Sequence, residues 1–170
     1  LGDGDVLLTA GGNVIVETAD SEGGAVLVDA VGDVTVTGTL DAAAGISLVA
    51  DGDISIVGEV STVAGDVSID AELDVSIADG AQIDGGTGDV RIDAGGDVTV
   101  TGVVTTGSVS LLSGGDVIDG GDQQVDVQAT GLRIDAAGNV GKVAGDAIEL
   151  AVDEMSVSAG GDINLDEADD

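Results

Sequence analysis

"RIDAGGDVTVTG", residues 91–102, holds an alternating strand (Ile92, Ala94), a glycine pair (Gly95, Gly96), an acidic residue (Asp97) and a second alternating strand (Val98, Val100). The same wording returns as "LVDAVGDVTVTG" (27–38), "SIDAELDVSIAD" (68–79), "RIDAAGNVG" (133–141) and "SVSAGGDINLD" (156–166). Alternation with period two marks strands that bury one face and wet the other. The glycine-acid corner between them is either a binding site or a turn that lets the chain begin another strand.

Spacing bears on that choice. The Asp or Asn after the corner falls at Asn13, Asp33, Asp53, Asp74, Asp97, Asp116, Asn139 and Asp162, at successive differences of 20, 20, 21, 23, 19, 23 and 23. Each is followed by Val or Ile. The strand before it places apolar residues at i and i+2 each time: Val6-Leu8, Val26-Val28, Ile46-Leu48, Val67-Ile69, Val90-Ile92, Val109-Leu111, Leu132-Ile134 and Met155-Val157. The next i+2 residue is always small, Ser113 in one repeat and Ala in the others, as where an interior narrows at a corner. A unit of about 20 residues cannot bury its own apolar face, so neighbouring units must stack. Two to three short strands per repeat, at about 5 residues each plus turns, use up the period.

Stacking of identical strands gives the expected fold: all-β, a right-handed parallel β-helix (β-solenoid) of about eight coils of 19–23 residues, a single segment over 1–170. Right-handedness is the default for parallel crossovers. At about 4.8 Å per coil the rod is roughly 35–40 Å long. A Greek-key sandwich also has short strands, but nothing in it makes one register recur eight times. Two coils depart from the pattern. Residues 114–136 place Asp119, and residues 137–159 place Lys142, where an inward apolar residue belongs. The two could pair across adjacent coils; the plainer expectation swings both into solvent.

Composition narrows the function. The 170 residues contain 3 Lys and Arg against 34 Asp and Glu, for a net charge of −31, with no Phe, Trp, Tyr, Cys, His or Pro and 30 Gly. Nucleic acid is excluded as a partner, because phosphate binding needs a basic surface and stacking aromatics. Anionic membranes are disfavoured for the same reason, and no apolar run is long enough to span a bilayer. Apolar content is 43%, carried by small aliphatic residues that suit a narrow interior. Leu1 is not a start Met and acidic repeat begins at once, so we expect a segment excised from something longer.

With the repeats laid out, the chain resembles the filamentous haemagglutinin type of bacterial surface exoprotein. The matching segments are "GDVSIDAELDVSIADGAQIDGGTGDVRIDAGGDVTVTGVV" and "SGGDVIDGGDQQVDVQATGLRIDAAGNVGKVAGDAIELAVDEMSVSAGGDINLDEAD". The resemblance implies a right-handed β-helix shaft, secretion to the bacterial cell surface, and roles in adhesion, biofilm or extracellular matrix. It implies partners among host or neighbouring-cell glycans and proteins, and further coils of the same protein. It transfers no catalytic residues.

An enzyme is not expected. Without His, Cys or a G-x-S-x-G elbow there is no nucleophilic triad. A polysaccharide-active β-helix would want aromatic platforms, and the cations are only Arg91, Arg133 and Lys142. Arg91 and Arg133 share an outward column with Asp93 and Asp135 two residues on, the spacing of surface ion pairs. An ice-binding threonine ladder is interrupted, since Thr35-Thr37 and Thr99-Thr101 are separated by Ser55-Val57 and Ser76-Ala78.

No cofactor is required, but calcium is the chemical candidate, because it prefers six to eight hard oxygen ligands. The glycine-rich calcium nonapeptide repeat does not match: "GDGDVLL" misplaces its Asp. A different geometry is open, in which outward Asp29, Asp70, Asp93 and Asp135 stand four residues before the corner residues Asp33, Asp74, Asp97 and Asn139. Two carboxylates and glycine carbonyls could meet there, as in a calcium-dependent extracellular binding module. The competing reading is that each corner Asp or Asn hydrogen-bonds its own turn beneath a diffuse cloud of counter-ions.

Overall fold

The computed structural model describes residues 4–121, 124–141 and 147–168. Among them every regular element is a β-strand, and each strand pairing is parallel. The chain winds into a β-solenoid of three faces. On the first face Val6–Ala10 carries Ala25–Ala30, then Gly45–Ala50, Asp66–Ala71, Val90–Ala94 and Ser108–Ser113. The later halves of Val127–Ala136 and Ile148–Ala159 complete that stack. The second face stacks Val14, Val34, Ile54, Val75, Val98, Val117, Val140 and Ile163. The third stacks Ala19, Leu40, Val60, Ile83, Val103, Val127, Leu150 and Glu167.

The register read from the repeat is the register observed. Val6 pairs with Val26, Val26 with Ile46, and so on to Leu132 with Met155, while the small residues run from Ala10 to Ala159 in one column. The count is adjusted: the fold makes about seven turns, not eight. Eight recurrences mark eight rungs, and eight rungs enclose seven intervals.

The interior is one aliphatic column. Taking the second coil as typical, Val26, Val28, Val34, Val36 and Leu40 are all fully buried, and Ala30 and Ala42 fill two corners at 1% exposure. Rings have no room where three sheets converge on so few side chains, which accounts for their absence. At the corner of Ala42, other coils carry buried hydroxyls in place of alanine. Ser21, Thr62 and Thr105 accept hydrogen bonds from the amides of Gly24, Gly65 and Gly107 at 3.0, 3.2 and 3.0 Å, so turn donors that the strands cannot reach are satisfied. The column is open at its ends: Val6, Leu8 and Val14 are only part-buried, and Met155 and Ile163 are 49% and 52% exposed.

Candidate functional site

The first corner is an unbroken ladder of side chains. The amides of Asp33, Asp53, Asp74, Asp97, Asp116, Asn139 and Asp162 each donate to the Oδ1 of the corner residue one coil earlier, at 2.6–3.1 Å. Backbone bonds run the other way, from Val14 N–H to Asp33 O at 2.8 Å through to Val140 N–H to Asp162 O at 2.9 Å. The acid therefore serves the next coil's turn, not its own. The preceding glycine is explained by the same contact. A Cβ on Gly52, Gly96, Gly115 or Gly138 would overlap the Oδ1 of Asp33, Asp74, Asp97 or Asp116. Asparagine preserves the oxygen and adds a donor: Asn13 Nδ2 reaches Asp33 Oδ2 at 3.0 Å and Asn139 Nδ2 reaches Asp116 Oδ1 at 3.1 Å. A second rail of this kind joins Asp66 to the Asp89 amide and Asp89 to the Ser108 amide at 2.9 and 2.8 Å.

The seven acids considered as calcium corners fall into two sets. Asp33, Asp74 and Asp97 belong to the ladder. Asp29, Asp70, Asp93 and Asp135 lie on the outer side of the first face. In that column Asp29 lies between Thr9 and Val49, and Asp135 between Leu112 and Ser158; only Asp70 and Asp93 are adjacent. Arg91 bonds Asp93 and stands 3.8 Å from Asp70, and Arg133 bonds Asp135 at 2.9 Å. These exposed pairs contribute little to stability. On the second face Ser55 and Ser76 separate Thr35 from Thr99, and Ile118 follows Thr99, so no continuous threonine ladder forms.

Carboxylates converge elsewhere. Among the described residues one group of three, Asp119, Asp126 and Glu149, brings one oxygen from each to within 4.8 Å of the others, and it includes none of those seven. Asp119 corrects the expectation that it points to solvent. The strand Val117–Asp119 keeps register with Val98–Val100, so alternation turns Asp119 inward like Val100, to 3% exposure. Its Oδ1 accepts the Gly121 amide at 2.8 Å, closing a turn in which Gly121 has φ +94°. Lys142, its suggested partner, lies outside the described residues.

Asp126 is fully buried. Its backbone is fixed between coils, donating to Glu149 O at 2.8 Å and accepting from the Val103 amide at 2.7 Å. Its Oδ2 accepts the Glu149 amide at 3.0 Å, and its Oδ1 has no hydrogen-bond partner among the described residues. Burial pushes the Asp126 carboxyl up to about 8. The Glu149 amide opposes that shift, while the Asp119 and Glu149 carboxyls reinforce it. The inward register of Asp119 was the sequence signal for this group. Asp126 and Glu149 carried none, because neighbouring coils bring them there from outward-phase positions.

The first face also carries a shallow hollow of about 340 Å³ against Ser108, Ser110, Arg133 and Ser156. Comparison with family models, curated proteins and solved structures returns no match to this chain.

Proposed function

We propose that the chain is a structural shaft segment of a secreted bacterial surface or filament protein, of the filamentous haemagglutinin kind that its repeats resemble. The supporting observation is the continuity of the stack. Three parallel ladders and the corner rail run from rung to rung, and the inward column opens to solvent at Met155 and Ile163. Such a column accepts another rung of the same kind on either end, and exposed strand edges invite that pairing. Its mechanical role follows: a stiff spacer, about 34 Å long for seven intervals of about 4.8 Å, that holds a binding tip away from a surface. Its partners are further coils of its own protein and, through the tip, host or neighbouring-cell glycans or proteins.

Catalysis is not part of this reading. The composition lacks the His and Cys of a nucleophilic triad and the aromatic platforms of a polysaccharide site, and the first-face hollow is shallow, lined by serines and apolar residues with Arg133 and Glu154. Small-angle scattering of the segment, together with a glycan and matrix-protein array, tests the proposal. A uniform rod that binds nothing specifically on the array is expected. Saturable binding of one glycan or protein would replace the spacer with an adhesive module.

A further inference from the structure

We propose that Asp119, Asp126 and Glu149 form a calcium site inside the solenoid wall, where residues 114–136 meet the next coil. The three carboxylates come from successive parts of adjacent coils, and an oxygen of each lies within 4.8 Å of the other two. That spread matches oxygens around one ion at 2.3–2.6 Å, whose opposite ligands stand about 4.6–5.2 Å apart.

A cluster of acids alone would say little in a chain of net charge −31. What separates this one from the rest is burial with an unmet need. Asp126 is fully buried and Asp119 is 3% exposed, whereas the corner acids sit half in water. Among the described residues the Oδ1 of Asp126 has no hydrogen-bond partner although its Oδ2 is held by the Glu149 amide, so the carboxylate is positioned and one oxygen is unsatisfied. A buried carboxylate oxygen without a donor costs folding free energy unless a cation meets it. The donors are all hard oxygens, and the chain has no His or Cys, which selects calcium-like over zinc-like ions.

The position also gives the ion something to do. Asp119 replaces the aliphatic residue of the inward column, directly after Val100 in register. Asp126 and Glu149 lie at the start of the third face in consecutive coils. An ion shared by all three closes the one place where the described core turns acidic and ties the two irregular coils together.

Calorimetric titration of the whole 170-residue chain with calcium chloride, in about 0.15 M salt to screen diffuse binding, is the test. One site per chain is expected, weakened at least tenfold in Asp126→Asn and in Asp119→Asn and unchanged in Asp33→Asn on the outer ladder. Heats that are non-stoichiometric, or the same in Asp126→Asn as in the parent, would overturn the site and leave only a counter-ion cloud. Should the variants misfold by circular dichroism, europium luminescence of the parent chain decides. The chain has no Trp or Tyr to sensitise emission, so the ion is excited directly and its bound waters are counted from lifetimes in light and heavy water. Loss of most waters supports a buried site; a fully hydrated ion rejects it.

Discussion

The Asp74 amide donates to Asp53 Oδ1 at 3.0 Å, and the Asp53 carboxylate is held on that amide between two like-charged neighbours, Asp33 and Asp74. One side chain therefore does a favourable and an unfavourable thing together. The two separate by substitution. Asp53→Ala leaves the Asp74 amide without its acceptor and is expected to cost about 1 kcal/mol. Asp53→Asn keeps the oxygen, as Asn13 and Asn139 do elsewhere in the column, and removes a charge. It is expected to stabilise by about 0.2–1 kcal/mol, the scale of like charges on adjacent strands, with the gain shrinking as salt rises. Urea melts of both variants at low and high ionic strength check the signs. Equal destabilisation would mean that the charge, not the oxygen, is what the corner uses.

Glycines divide by what lies above them. A Cβ at Gly65 would meet the backbone of Ala44, which cannot move without its whole coil, whereas Gly11 faces open space. Gly65→Ala is expected to cost at least about 2 kcal/mol as overpacking. Gly11→Ala, at a residue without positive φ, is expected to be neutral or to gain about 0.4–1 kcal/mol by restricting the unfolded chain. Thermal melts of the pair would show a split in sign; similar losses at both would contradict the close approach.

Ile92 is fully buried between Ile69 and Leu111 in its column. Truncation to Ala opens a cavity on all three rungs and is expected to cost about 2–5 kcal/mol. Ile92→Phe is expected to be worse than Ile92→Leu by more than about 1 kcal/mol, because the narrow interior has no slack for a ring. A tolerated phenylalanine would refute the account of why the chain has no aromatic residue.

Asp126 gives a pH signature. Its folded value of about 8 lies above the ordinary 3.8, so between these limits the folded chain holds a proton that the unfolded chain has released. Stability from this group is present at low pH and is lost as pH rises through that window, at up to about 1.4 kcal/mol per pH unit. The remaining carboxylates act alike in parent and variant. In EDTA, the parent is therefore expected to lose more stability than Asp126→Asn between pH 5 and pH 8. Parallel pH profiles would show that the group is ionised throughout.

Much of the fold was legible because a solenoid writes its register into its spacing. The column from Val6 to Met155, the small corner residues from Ala10 to Ala159, and the Arg91–Asp93 and Arg133–Asp135 pairs all follow from period two inside a period near 20. The ladder at the corner was not legible. Asp beside Gly looks the same whether its oxygen turns to the amide two residues on or to the one 20 residues on, and only the stacked backbone decides. Asp119 was misread because a charge at an inward position is ordinarily expelled. Here the strand around it holds register, and alternation prevails over the preference of a single carboxylate for water. Asp126 and Glu149 were invisible because no local pattern marks a pair that meets only across coils.

The corner rail has a direction. Its donors come from the later coil and its acceptors from the earlier one at all seven steps, from Asp33 on Asn13 to Asp162 on Asn139. Each finished turn therefore presents a waiting acceptor to the chain that follows it. A polypeptide threading out from its amino end would meet a template at every step. A coil added on the amino side would instead supply side-chain oxygens to waiting amides, so the two ends of the stack offer different chemistry to whatever joins them.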